Sequence, residues 1–365
     1  MTRTDPALAR ILARRLDAHA LSRPAPSVVA AAHRMLALQA QDAAQARWAL
    51  AVRAEAATPG DVDRAFAGRA VVRTWCLRGT IHAVPSEDAA WLVRLCAPRN
   101  IARAAARHRG LGIEARDVGV ARDAVERALA GGRAPSREAL FAELEAAGQV
   151  TVSQRGVHLL WRLAQDEVIA QAGDDFVLLA DWVARPRALE GDEALAELAT
   201  AYRRSHGPST LEDFAHWSGL AKGGARRALA AAGDALASDD DAANDAPAAD
   251  VPPVLLLPGF DEYLLGYVDR SACIAAGDFE RIVPGGNGVF LPMLVLDGRV
   301  RGTWRRRVTR ERVDLTVLPF ERTTAAQRQA IEREAERFGR YLERPLRVTV
   351  EPPSADAKAG THRRR

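Results

Sequence analysis

Two glutamines near the N-terminus, Gln39 and Gln41, are separated by a single residue, and each carries an amide that can donate and accept hydrogen bonds. A neutral amide oxygen can orient a water molecule and stabilise a developing positive charge without being ionised. Because residues two apart do not face each other on a helix, the pair fits a junction between two helices. Asp42 follows directly and can cap the second of these helices. The alternative is that both glutamines only make hydrogen bonds at helix ends.

The segment 71–85 combines β-branched and apolar residues with cationic ones and ends at a proline. This composition predicts extended chain. Alternation with a period of two would place Arg78, Thr80 and His82 on one face of a strand. Together with Arg73, these side chains are candidate ligands for phosphate oxygens. The alternative is an ordinary amphipathic strand whose polar face is solvated.

Two further groups of polar residues occur far downstream. Asp261 and Glu262 lie among bulky apolar residues beside Tyr263, so they are either buried acids that close the fold through hydrogen bonds or catalytic carboxylates. Three consecutive arginines either contact phosphates or form a solvated face: Arg305, Arg306 and Arg307. The eight histidines show no spacing typical of zinc ligands, so we expect no metal.

Length and composition are those of a globular protein. The 365 residues are 48% hydrophobic and 27% charged, which suits several small domains. Three widely separated cysteines argue against a disulfide framework and against a cysteine-rich metal site. No apolar run is long enough to span a membrane, and the first residues lack the apolar core of a signal peptide, so we expect a cytoplasmic protein.

The basic residues are unusual in kind rather than in number. The net charge is only +4, but Lys222 and Lys358 are the only lysines among 51 basic residues. Arginine stays protonated and cannot form the Schiff base that lyase-type enzymes need. The composition therefore disfavours amine-based covalent catalysis.

The chain before residue 233 shows a weak internal repeat. Helix-start patterns, each a proline followed by capping and acidic residues, occur at Pro59, Pro135 and Pro208. They predict three tandem winged-helix modules, followed by a mainly β C-terminal domain, and hence a mainly α fold of the α+β class. The predicted segments are 1–112, 113–187 and 188–233 for the three modules, 234–250 for an acidic linker, 251–352 for the β-rich domain and 353–365 for a disordered basic tail.

Four signatures in this order resemble a known family. They are Leu38-Gln39-Ala40-Gln41-Asp42, the Arg-Gly-Thr-Ile-His run at 78–82, the segment 256–267 with its Phe-Asp-Glu-Tyr core, and Gly-Thr-Trp-Arg-Arg-Arg at 302–307. Over roughly residues 5–350, the chain resembles the bacterial winged-helix family of AlkZ-type DNA glycosylases, to which the YcaQ-type enzymes are related.

This resemblance implies a monofunctional DNA glycosylase that removes N7-alkylated purines, including bulky or interstrand-crosslinked adducts. It implies that Gln39 and Gln41 are catalytic, since the AlkZ-type motif is Gln-x-Gln whereas YcaQ-type members have aspartate at the second position. It also implies double-stranded DNA as the partner, with Arg73, Arg78, Thr80, His82 and the three arginines at 305–307 as its contacts. We expect a monomer without a cofactor. The alternative from another class is a non-catalytic winged-helix DNA-binding protein such as a regulator.

Overall fold

The computed structural model describes residues 5–233 and 250–353. Apart from one residue each, the predicted acidic linker at 234–250 and the predicted basic tail at 353–365 lie outside the described residues.

Helices form most of the structure before residue 233, and several begin at capping residues that the sequence indicates. Ser27 and Asp42 each accept hydrogen bonds from backbone N–H groups in the first turn that follows them. The helices of this part are α1 (Pro6–Ala18), α2 (Val28–Met35), α3 (Ala43–Ala51), α4 (Pro59–Ala67), α5 (Ala89–Gly110), α6 (Ala115–Leu129), α7 (Arg137–Ala146), α8 (Arg155–Gln165), α9 (Leu179–Trp182), α10 (Gly191–His206), α11 (Leu211–Ser218) and α12 (Lys222–Ala232).

The three repeated helix starts are confirmed. Thr58, Ser136 and Thr210 each accept a backbone hydrogen bond at the beginning of α4, α7 and α11. At Thr58 and Thr210 an aspartate three residues later bonds back to the cap, which completes a capping box. The repeat therefore marks local helix starts, while the number of winged-helix modules stays a prediction.

The N-terminal sheet has the strand order β1-β3-β2-β4-β5. Its strands are β1 (Leu38–Gln39), β2 (Val71–Trp75), β3 (Ile81–Pro85), β4 (Ile169–Ala172) and β5 (Asp175–Leu178). Strands β4 and β5 form an antiparallel hairpin around Gly173. Strand β2 also pairs with β4, at Arg73 and Gln171, so one sheet joins the segments predicted as the first and second modules. The domain boundaries stay predictions.

The prediction of one continuous strand through residues 71–85 is wrong. The chain turns back at Leu77–Gly79, and β2 and β3 pair antiparallel. Arg78 and Gly79 both have positive φ in this turn, +57° and +75°. Because the turn interrupts the alternation, Arg78, Thr80 and His82 do not share one strand face. Helices α2, α4, α5 and α8 pack against the hairpin, and every residue of both strands is buried.

The strands after residue 250 form a second sheet, with the order β10-β9-β8-β7-β6. Its strands are β6 (Val254–Leu257), β7 (Met293–Leu296), β8 (Arg299–Val308), β9 (Val313–Pro319) and β10 (Leu346–Val350), and its helices are α13 (Glu262–Leu265), α14 (Phe279–Ile282) and α15 (Ala325–Tyr341). Strand β10 runs parallel to β9, and the other neighbours are antiparallel. The α+β class is therefore confirmed.

Helix α3 packs directly on the C-terminal sheet. The indole N–H of Trp48 donates to the carbonyl oxygen of Leu256 at 2.7 Å, and its ring lies edge-on to Phe338 of α15 with centroids 4.8 Å apart. One hydrophobic core runs through both parts. This packing brings residues after β6 against the start of α3. Within the described residues, no helix has the length and apolarity that crossing a membrane requires.

Candidate active site

Gln39 and Gln41 lie at the junction between α2 and α3, as their spacing predicts. Helix α2 is followed by Leu36, whose φ is +58°, and the chain then enters the two-residue strand β1. The Asp42 carboxylate accepts hydrogen bonds from two N–H groups of the first turn of α3 at 2.9 and 3.0 Å. We call residues 39–41 the glutamine segment.

The two amide side chains retain unused hydrogen-bonding capacity. Gln39 Oε1 accepts from the N–H of Gln41 at 3.2 Å, and Gln41 Oε1 accepts from the N–H of Ile81 at 3.4 Å. Gln39 is 8% exposed, whereas Gln41 lies at the surface. An amide oxygen has two lone pairs, so each can accept a second hydrogen bond. Both side chains can therefore bind a water molecule or a sugar hydrogen-bonding group.

Glu262 lies directly against Gln39. Its Oε1 accepts the N–H of Gln39 at 3.1 Å, and its Oε2 is 3.6 Å from Nε2 of His206. Both side chains are fully buried. Burial raises the pKa of Glu262, but the His206 ring and the Arg78 guanidinium outweigh it, so the pKa lies below its usual value. The structure thus holds a buried negative charge beside Gln39.

Asp261 fixes the chain that presents Glu262. Its two oxygens accept from both terminal nitrogens of Arg53 at 2.7 and 2.9 Å, and neither side chain is exposed. One of these oxygens also accepts the N–H of Tyr263 at 2.9 Å. This confirms the interpretation of Asp261 as a buried acid that closes the fold. The bidentate pair ties the end of α3 to the start of α13.

His82 lies beside Gln39, but inside the protein. The two residues are directly opposite in the β1–β3 pair, so their side chains share one face of the sheet. His82 Nδ1 donates to the carbonyl oxygen of Thr80 at 3.0 Å, and the ring has no exposed surface. Burial lowers the pKa of His82 to about 4. The expected contact of His82 with DNA is therefore wrong, because its ring cannot reach a phosphate.

Arg73 is also buried, with 5% of the residue exposed. Its guanidinium donates to the carbonyl oxygens of Ala40 and Gly173 at 2.9 and 2.8 Å, and to Asp174 Oδ1 at 3.1 Å. Burial lowers the pKa of Arg73, with Asp174 acting in the opposite direction. The expected phosphate contact of Arg73 is therefore wrong, because protein groups already occupy its terminal nitrogens.

Arg78 and Thr80 are both partly exposed. Arg78 Nη1 donates to the carbonyl oxygen of Trp217, and Thr80 Oγ1 donates to that of Leu77 at 3.2 Å. Gly219, after α11, lies so close that a Cβ there would be 3.0 Å from the Arg78 side chain. Arg78 thus joins the β2–β3 turn to the α11–α12 turn. DNA contacts from Arg78 and Thr80 stay predictions.

The three arginines of β8 differ in exposure. Arg305 and Arg307 are exposed, and Arg305 is paired with Glu351 at 3.2 Å. Arg306 points to the other face, 5.3 Å over the ring of Phe338. Burial lowers the pKa of Arg306, and the Asp42 carboxylate opposes this shift. Arg306 is thus within electrostatic reach of the residue that follows the glutamine segment. Contacts of these arginines with DNA stay predictions.

Sequence reasoning missed Arg47, on α3. Its guanidinium lies 2.9 Å from Asp63 and 3.7 Å from Asp174, and its side chain is 28% exposed. The sequence could have indicated that Arg47 lies near the glutamine segment, because it falls in the second turn of the helix that Asp42 caps. Sequence reasoning also left the role of Glu262 open, because its contact with Gln39 joins residues 223 positions apart.

One group of potential metal ligands occurs among the described residues: His33, Glu87 and Asp88. Asp88 Oδ1 already accepts from the indole N–H of Trp91 at 2.7 Å and from Arg187 at 2.9 Å. These contacts are those of a structural carboxylate, and the group has no contact with the glutamine segment.

Comparison with solved structures finds the same architecture in the DNA glycosylase AlkZ of Streptomyces sahachiroi. The TM-score is 0.74 at 25% sequence identity, and the match covers 93% of this chain and 99% of that one. A curated relative, also from Streptomyces sahachiroi, is an interstrand DNA cross-link repair glycosylase; it is 28% identical, with 87% of this chain and 91% of the relative covered.

The model of the family described as DNA glycosylase AlkZ-like matches residues 32–341, which include both glutamines, Glu262 and the arginines of β8. This match favours the enzymatic interpretation over a non-catalytic DNA-binding protein, and the substrate is DNA. With most of its length matched and the AlkZ architecture present, the chain belongs to the AlkZ-like family of DNA glycosylases, which are hydrolases acting on N-glycosyl bonds.

Proposed function

We propose that this DNA glycosylase releases N7-alkylated purines from double-stranded DNA, including bulky and interstrand-crosslinked adducts, with Gln39 and Gln41 as its catalytic residues. The curated relative is named for interstrand DNA cross-link repair, and we extend that substrate class to this chain.

The chemistry of the lesion suits two neutral amides. An N7-alkylated purine already carries a positive charge, so it takes the electron pair of the C1′–N9 bond and leaves as a neutral base without a general acid. The enzyme then has to stabilise an oxocarbenium-like sugar and hold a water molecule near C1′. The water oxygen bonds to C1′ and loses a proton to solvent, which leaves an intact abasic site.

The exposure of the site residues supports this proposal. Gln41 lies at the surface, whereas the ionisable side chains beside Gln39, Glu262 and His82, are fully buried. A lesion at the glutamine segment would thus meet the neutral amide of Gln41 before it met either of these two buried ionisable groups. Such a site discriminates in favour of bases that leave without protonation.

The DNA contacts that we propose are surface residues of two regions. They are Arg78 and Thr80 at the β2–β3 turn, and Arg305 and Arg307 on the exposed face of β8. Arginine is suited to bidentate binding of phosphate oxygens.

The proposal is tested by incubating the full chain with duplex DNA that contains N7-methylguanine or a drug cross-link. We expect free modified base and an intact abasic strand. Unmodified duplex is the control. A covalent protein–DNA adduct trapped by borohydride, or no release from either substrate, would contradict the proposed reaction.

Alanine replacement of Gln39 or Gln41 tests the assignment of the residues. We expect base release to slow about ten- to a thousandfold, which corresponds to roughly 1.4–4 kcal/mol of transition-state stabilisation. Gln41→Asp should keep much of the activity on N7-methylguanine and change the tolerance for bulky adducts. The matched control is Asp42→Ala, which should cost about 1 kcal/mol of stability through loss of a helix cap. Wild-type rates in folded Gln39 and Gln41 variants would rule out their catalytic role.

A further inference from the structure

The glutamine segment lies at the edge of the N-terminal sheet. Strand β1 is the outermost strand, and Gln39 is opposite His82 in the pair with β3. The N–H of Gln39 is therefore on the side without a neighbouring strand, where backbone groups are left unpaired. Glu262 Oε1 accepts this N–H at 3.1 Å. The buried carboxylate of Glu262, from the chain after β6, thus accepts the hydrogen bond that a neighbouring strand would otherwise accept.

The next residue along is fixed from the opposite side. The N–H of Ala40 donates to the carbonyl oxygen of Ile81 at 2.8 Å, as in an antiparallel pair. Regular pairing would return the N–H of Ile81 to the carbonyl oxygen of Ala40. Arg73 Nη2 instead donates to that oxygen at 2.9 Å, and the N–H of Ile81 donates to Gln41 Oε1. The Arg73 contact coincides with the end of the ladder, and the Gln41 amide occupies the position that the backbone would fill.

Both contacts use charged side chains that are removed from water. Glu262 is fully buried and Arg73 is 5% exposed. Burying a charge costs free energy unless hydrogen bonds compensate it. Two buried side chains of opposite charge therefore bond to the backbone of one three-residue segment. Glu262 accepts the N–H of Gln39 itself, and Arg73 donates to the carbonyl oxygen of Ala40, which lies between the two glutamines.

We propose that Glu262 and Arg73 are positioning residues, which hold the backbone of Gln39 and Ala40 so that both amides face the lesion in a reactive geometry. This inference rests on the proposed catalytic role of the two glutamines. Glu262 acts as a hydrogen-bond acceptor for Gln39, and Arg73 keeps the Ala40 carbonyl out of the sheet so that Gln41 is placed by Ile81.

The first test replaces Glu262. Because small misplacements of reacting groups cost up to about 10²-fold in rate, Glu262→Ala should slow single-turnover base release by about 10- to 100-fold while DNA affinity stays within about threefold. Glu262→Gln retains an oxygen acceptor and should restore the rate to within about threefold of the wild type. The matched control is Glu334→Ala, since Glu334 is a largely buried acid of α15 that is bonded to Arg337. Equal losses in the glutamine and alanine variants of Glu262 would overturn the proposal.

The second test replaces Arg73 with methionine, which keeps an unbranched apolar stem but has none of the guanidinium donors. We expect a loss of rate similar to that of Glu262→Ala and little change in DNA affinity. Arg23→Met, at an exposed arginine paired with Asp17, is the control. A loss of DNA affinity that accounts for the loss of rate would overturn the positioning role.

A readout without activity separates this inference from the proposed function. Amide hydrogen exchange of the full chain should show faster exchange at Gln39 in Glu262→Ala and at Ile81 in Arg73→Met, with wild-type protection in Glu262→Gln. Suppose that the exchange changes as expected while the Gln39 and Gln41 variants release base at wild-type rates. In that case the proposed catalytic role of the glutamines fails, but Glu262 and Arg73 still hold the backbone of the segment. If exchange at Gln39 and Ile81 is unchanged in variants that remain folded, the positioning proposal is wrong.

Discussion

Strands β2 and β3 of the N-terminal sheet are buried along their whole length, whereas β8 of the C-terminal sheet alternates between buried and accessible residues up to Trp304 and is then mostly exposed. Both regions contain arginines in β-rich sequence. In the hairpin, helices cover both faces, so Arg73 bonds to the protein itself. In β8, Arg305 and Arg307 lie on an uncovered face. A cationic residue of a strand is therefore available to DNA only where no helix covers its face.

The buried Arg53–Asp261 pair gives the largest expected effect. Arg53→Leu should lower the free energy of unfolding by about 3–5 kcal/mol, because it leaves the Asp261 carboxylate buried without its charge partner. Urea denaturation measures this loss. Arg305→Leu, which breaks the exposed pair with Glu351, should cost at most about 1 kcal/mol. Similar losses of unfolding free energy in the two variants would contradict the expectation that a buried ion pair matters more than an exposed one.

The buried His82 should make stability depend on pH. Its pKa is about 4 in the folded protein, below the usual value of about 6.5. As the pH falls through 6.5, the unfolded chain binds the proton first, so the stabilisation is complete above pH 6.5 and is lost as the pH falls to about 4. The contribution is about 3 kcal/mol. Unfolding at pH 7 and pH 4.5 should show a smaller difference for His82→Asn than for the wild type, with the exposed His33→Asn as control.

The smallest effect should appear at the exposed arginines. Arg305→Ala or Arg307→Ala should weaken binding to damaged and undamaged duplex alike, and should lower the slope of log K against log salt concentration by about 1 for each lost phosphate contact. Arg73→Met should leave that slope unchanged, because its side chain is buried. Binding titrations between low and moderate salt measure both. An unchanged slope in both β8 variants would show that Arg305 and Arg307 do not contact DNA phosphates.

Local signals predicted the parts of the site that depend on neighbouring residues. The spacing of Gln39 and Gln41 indicated a helix junction, and Asp42 was expected to cap the next helix; both features are present. Their causes are the geometry of a helix and the unpaired N–H groups of its first turn, which act within a few residues. The repeated capped helix starts were predictable for the same reason.

The hairpin at 71–85 shows where such reasoning stops. A period-two pattern is the same whether a strand is exposed or covered. The turn at Arg78 and Gly79 depends on positive φ at a non-glycine residue, a conformation that is uncommon and hard to predict from sequence. The exposed-face hypothesis for Arg73 and His82 failed because burial is set by the helices that pack on the hairpin. The residues were correctly singled out, but their surroundings were not predictable from their own segment.

From the order of the amino acids alone we could predict the family, the α+β class and the capped junction that contains Gln39 and Gln41. The scarcity of lysine, which disfavours a Schiff base, was equally visible there. The contact of Glu262 with Gln39 and that of Arg73 with Ala40 could be seen only in the folded chain. The physical reason is distance along the chain: helix caps act over a few residues, whereas the Glu262 contact spans 223 positions and depends on the packing of α3 against the C-terminal sheet.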